Sequence, residues 1–156
     1  MEKNEALNEV LNDLVKINND RIAGYERAIS EAKDLDIDLK ALFEGMIRQS
    51  TQYKEELCKV ITDDNGMVED DTTSAGKIYR AWMDIKSTFT DTDRLSILTA
   101  CEFGEDAAKR SYEAALTANE LRDEAARTIV AAQQAGLQKS HDMVKTQRDT
   151  YKAMRK

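Results

Sequence analysis

The sequence predicts an all-α fold, four long helices packed as one bundle. Three observations carry that prediction. The 156 residues include no proline and only 6 glycines, where average usage would put about eight prolines in this length. Apolar side chains recur at steps of three and four over long stretches, the spacing of one helix face. Aromatic residues make up 6% of the chain and charged residues 34%, too few rings for a typical β-sandwich core. The length suits a single domain, 1–156, with a full core.

The first helix is predicted over residues 4–33. Its stripe is Leu7, Val10, Leu14, Ile17, Tyr25, Ala28 and Ala32, and Asn4 is its expected N-cap. Lys33-Asp-Leu-Asp-Ile-Asp-Leu is a short acidic link. The second helix follows over 37–62, with Leu39, Leu42, Met46, Ser50, Tyr53, Leu57 and Val60 on one face.

An acidic loop comes next, in which Asn65-Gly66 marks a turn. It is not a calcium loop. The EF-hand pattern requires an acid where Ile61 stands and a glutamate where Thr72 stands.

A shorter amphipathic helix is expected over 74–88, with Ile78, Tyr79, Trp82, Ile85 and Phe89 on one side. A third long helix covers 92–117, carrying Leu95, Leu98, Cys101, Glu105, Ala108, Tyr112 and Ala115. Thr117-Ala-Asn-Glu120 has capping-box spacing and starts a fourth helix over 119–154, with Val130, Leu137, His141, Val144 and Tyr151. At 1.5 Å per residue each long helix spans about 40–50 Å. The first and third links are short and the second is long. Hairpin, crossover, hairpin is the connectivity of ferritin-like bundles.

The two hairpins carry similar phrases. Gly24-Tyr25-Glu26-Arg27-Ala28-Ile29 parallels Ser111-Tyr112-Glu113-Ala114-Ala115-Leu116, with Asn18 and Glu105 seven residues before each tyrosine. Tyr53 follows Tyr25 by 28 residues and His141 follows Tyr112 by 29. An internal repeat with pseudo-two-fold symmetry is the expectation.

Each long helix breaks its apolar stripe once near mid-length, at Asn18, Ser50, Glu105 and His141. A lone buried carboxylate is costly unless paired or hydrogen-bonded. The expected arrangement is therefore a polar core layer in which Glu105 pairs with His141, a tyrosine donates to the carboxylate, and Asn18, Ser50, Tyr53 and Gln138 complete the ring.

A di-iron bundle of this connectivity needs a glutamate from two helices and Glu-x-x-His from the other two. Here those slots read Asn18, Ser50-x-x-Tyr53, Glu105 and Gln138-x-x-His141. Moving the second helix by one residue gives Gln49-x-x-Gln52, which restores no ligand. No cofactor is expected. The alternative is a metal-binding protein with a divalent metal (Fe, Mn or Zn) at Glu105 and His141, in a mononuclear or atypical di-metal site.

Net charge is −7, which argues against a sequence-independent nucleic-acid binder. No apolar run reaches the length of a signal peptide or membrane span, so a soluble cytoplasmic protein without membrane attachment is expected. The basic end, Lys145, Arg148, Lys152, Arg155 and Lys156, complements the negative end of a helix dipole. Cys58 and Cys101 lack CxxC or Cys/His spacing and read as buried free thiols. No Ser/His/Asp or Cys/His order and no glycine-rich phosphate loop occurs, so the chain reads as non-catalytic.

Four stretches resemble a known group: Leu39-Lys-Ala-Leu-Phe-Glu, Arg80-Ala-Trp-Met-Asp-Ile-Lys, Cys101-Glu-Phe-Gly-Glu-Asp-Ala-Ala and Ser140-His141-Asp142. On these the sequence resembles an uncharacterised bacterial family of four-helix-bundle proteins, classed as a ferritin-like domain of unknown function. The resemblance implies an up-down-down-up bundle and self-association. It implies no activity. The expected function is that of a non-catalytic bundle acting through protein–protein contacts, with a homodimer as one form.

Overall fold

A computed structural model describes residues 2–32, 37–69, 94–119, 121 and 123–154. The short helix expected over 74–88 lies outside the described residues. Within them the chain forms α1 (Glu2–Glu31), α2 (Ile37–Asp63), α3 (Arg94–Thr117) and α4 (Glu124–Met154).

Cross-helix pairs fix the topology. Asn18 and Arg21 of α1 meet Tyr112 and Glu105 of α3, so numbering rises on one helix as it falls on the other. Gln133 and Ser140 of α4 meet Glu56 and Gln49 of α2 in the same antiparallel sense. Both hairpins are antiparallel too, as Arg21 to Ser50 and Arg148 to Glu102 place them. The bundle runs up, down, down, up, with α2 parallel to α3 across the diagonal. This is the ferritin-like connectivity.

The core is built from the inward stripes. Leu11, Leu14 and Tyr25 of α1, Leu39, Phe43, Leu57 and Ile61 of α2, Leu98, Cys101 and Tyr112 of α3, and Val130, Leu137 and Val144 of α4 are essentially without exposure. Burying side chains of this size contributes about 1.5–3 kcal/mol each. On α2 the deep positions include Phe43 and Ile61, while Leu42, Tyr53 and Val60 sit at the edge, half-buried. The stripe is thus rotated slightly from the expected one. Cys58 and Cys101 are free thiols; Cys101 is buried and Cys58 half-buried.

Two helix ends refine the expected boundaries. α2 ends in a Schellman motif: Gly66 N–H donates to the Ile61 carbonyl at 2.8 Å and Asn65 N–H to Thr62 at 3.0 Å. Asn65 takes the left-handed conformation this requires, with φ 60°. Gly66 is needed for contact, because a Cβ there would strike the Asn8 side chain. The chain then turns back along α1, where Asn12 bonds the Met67 carbonyl and the Glu69 N–H.

The expected capping box at Thr117–Glu120 does not start α4. Asp123 is the cap, accepting the Ala126 N–H at 2.9 Å, and the helix begins at Glu124. Likewise α1 begins at Glu2, so Asn4 lies inside the helix rather than at its cap.

Candidate functional site: a buried ion pair at the bundle centre

Arg21 lies on the inner face of α1, seven residues after Leu14 and seven before Ala28, and it is completely buried. A charge so placed must find a partner, since an uncompensated buried ion is prohibitively costly. Its partner is Glu105 of α3, also at 0% exposure. The guanidinium grips the carboxylate with two bonds, Nε to Oε1 and Nη2 to Oε2, the latter at 3.1 Å.

The remaining donors face α2. Nη1 donates to Ser50 Oγ at 2.7 Å and to the Met46 carbonyl at 3.3 Å, and Nη2 reaches Met46 Sδ at 3.5 Å. The Tyr25 ring closes the site, its centroid 5.4 Å from Arg21 Cζ and 5.3 Å from that of Phe43. The planar fork fits a carboxylate better than a lysine ammonium would.

The electrostatics follow from this packing. Burial pulls the Arg21 pKa down, but the charge of Glu105 and its hydrogen bond outweigh it, and the net shift is upward. Burial first, and the Glu105 charge second, hold the Tyr25 phenol well above its usual value. Burial likewise raises Tyr112 and, less completely, Tyr53.

A second polar chain crosses the bundle beside the ion pair and touches every helix. Asn18 Nδ2 donates to the Leu14 carbonyl at 2.9 Å and to Tyr112 Oη at 2.8 Å. Tyr112 donates to Gln133 Oε1 at 2.6 Å. Gln133 Nε2 then donates to the Tyr53 carbonyl at 3.1 Å and to Glu56 Oε1 at 2.9 Å.

The expected polar layer is therefore reorganised. Asn18, Ser50 and Glu105 are buried at the centre, but Glu105 pairs with Arg21 rather than with His141. His141 stands at the rim of α4, its side chain 12% exposed, with Nε2 3.4 Å from Glu102 Oε1 and 4.0 Å from Asp106 Oδ1. Its Nδ1 lies 3.3 Å from Asp142 Oδ1.

Gln138 is also outside the core and donates to Asp142. Tyr53 is half-buried, and its hydroxyl fills the space that a Cβ at Gly136 would need. Arg21 and Gln133 were the residues missed. Both lie in register with the apolar stripes, and that register was the available signal.

A ferritin-like fold invites a metal at this centre, and the residues do not fit one. Both Glu105 oxygens and the Ser50 oxygen accept from Arg21, so a divalent cation would have to displace a guanidinium of like charge. Among the described residues no group of three or more His, Cys, Asp or Glu side chains is arranged to hold a metal ion. Nor is any described helix long and apolar enough to cross a membrane.

Over residues 6–118 the chain matches the family described as domain of unknown function DUF2383. It belongs to that family. No curated protein matches it. Among solved structures it is similar to a Dps1 mutant from Mycobacterium smegmatis, with a TM-score of 0.81 at 15% identity, over 94% of this chain and 97% of that one. At that identity the likeness establishes the ferritin-like fold. Membership of DUF2383, the up-down-down-up helices and this likeness together give an all-α ferritin-like four-helix bundle.

Proposed function

We propose that this chain is a non-catalytic cytoplasmic bundle that acts through protein–protein contacts. Its ferritin-like centre is filled by the Arg21–Glu105 pair in place of a metal ion. The supporting observation is the complete engagement of the fully buried Glu105 carboxylate by the fixed cation of Arg21. A neutral, hydrogen-bonded centre holds helix register and leaves the outer faces to carry the activity.

The test is elemental analysis of protein purified without chelator. Iron, manganese and zinc well below one per chain are expected, and unchanged in Glu105→Gln. Stoichiometric metal lost in Glu105→Gln or His141→Ala would overturn the reading in favour of a mononuclear metal protein.

A further inference from the structure

Asn65 is the one asparagine of the chain that a glycine follows. The side-chain carbonyl carbon of Asn65 is within reach of the Gly66 backbone nitrogen, and a residue without a Cβ leaves that approach open. Once Gly66 N gives its proton to solvent it can bond to Asn65 Cγ. A succinimide ring closes as the Cγ–Nδ2 bond breaks and ammonia leaves. Water then opens the ring at either carbonyl. One opening gives aspartate. The other gives isoaspartate, in which the main chain runs through Cγ and is one carbon longer.

The fold places this pair at the C-cap of α2 and ties down the nucleophile. Gly66 N–H, whose proton must leave, donates to the Ile61 carbonyl at 2.8 Å, and Asn65 N–H donates to Thr62 at 3.0 Å. Ile61 is fully buried, which fixes the acceptor. The space beside Gly66 is filled by the side chains of Asn8 and Ile61. Past the pair, Asn12, 4% exposed, bonds the Met67 carbonyl at 2.9 Å and the Glu69 N–H at 2.8 Å. Asn65 itself is exposed and in the left-handed conformation. Its reactive carbon is thus open to water while the attacking nitrogen is held, and ring closure requires the cap to open first.

Either product damages the cap. The extra carbon of isoaspartate moves Gly66 N–H out of step with Ile61. Aspartate puts a charge at the negative end of the α2 dipole, beside Asp63 and Asp64.

We propose that Asn65-Gly66 is a succinimide-forming modification site that the α2 cap holds in check, and that conversion keeps the cap from re-forming. Peptide mapping by mass spectrometry tests it on the full chain aged in mildly alkaline buffer. Each conversion adds one mass unit, and isoaspartate separates from aspartate. In urea-unfolded protein Asn65 is expected to convert ahead of every other asparagine. In folded protein its conversion should run at least about tenfold slower, because the cap bonds must break first. Asn8→Ala and Asn12→Ala each loosen the clamp. With helical circular dichroism intact, each should raise the folded rate roughly fivefold and leave the unfolded rate unchanged. The thermal midpoint of the wild type should fall as product accumulates. That of Asn65→Gly, which keeps the left-handed position and cannot convert, should hold.

Equal rates in folded and unfolded chain would refute the cap as the gate, as would a folded rate that neither alanine variant alters. Another asparagine converting before Asn65 in the unfolded chain would refute the site. A converted sample with an unchanged midpoint would refute the consequence for the cap.

Discussion

Helix α3 carries two arginine–glutamate pairs three residues apart, and they sit in different media. Glu105 faces inward and meets Arg21 with neither side chain exposed. Glu102 faces the α4 rim and meets Arg148 at 2.7 Å, with side chains 21% and 22% exposed. Chemistry and distance class are alike. The difference is solvent. At the rim water competes for both partners and screens them. At the centre each ion exists only because the other does.

That contrast orders the consequences of breaking each contact. Arg21→Met leaves Glu105 buried without its cation, and urea denaturation is expected to show a loss of about 3–5 kcal/mol. Removing both charges together, as Arg21→Met with Glu105→Leu, should recover most of that loss, because the desolvation cost disappears with the pair. Tyr112→Phe interrupts the chain from Asn18 to Gln133 and takes the donor from the buried Gln133 Oε1, at about 1–3 kcal/mol. Asp123→Ala removes the α4 cap and is expected to cost about 1 kcal/mol. Arg148→Ala, at the rim, should change stability by about 1 kcal/mol or less.

The alkaline range sharpens the same comparison. The folded chain raises the phenols of Tyr25, Tyr112 and Tyr53, chiefly by burial. An unfolded tyrosine ionises near pH 10. Folded stability is therefore full below that pH, and it falls as pH rises toward the higher folded values, because only the unfolded chain can release those protons. In an ultraviolet titration these three of the five tyrosines should ionise late, and Tyr25 and Tyr112 only with unfolding. Ionisation of all five near pH 10 in folded protein would break this account.

Much of the fold was legible because it depends on periodicity. The missing prolines and the three-and-four spacing located all four long helices and both hairpins. The boundary of α4 differs because Thr117-Ala-Asn-Glu120 satisfies the capping-box pattern locally, while the Ala126 N–H is capped by Asp123, two residues past the buried Leu121.

The site was half legible. Glu105 is one heptad from Leu98 and from Tyr112, so its inward orientation followed directly. Arg21 has the same register with Leu14 and Ala28, but an arginine on an apolar stripe is ordinarily read as a side chain that snorkels to water. His141, which stands one turn from Leu137 and Val144, is then the partner the sequence offers. On a helix that position can be either the core or its edge, and the choice belongs to the neighbouring helix. Glu102 and Asp106 of α3 draw the imidazole outward.

Glu105 is held by Arg21 at the heart of the bundle. A double-mutant cycle on Arg21→Met and Glu105→Leu, read by urea denaturation, tests it most directly. A coupling of about 3 kcal/mol or more between the two sites is expected. Additive losses, within about 0.5 kcal/mol, would mean that the two residues do not hold each other, and would contradict it.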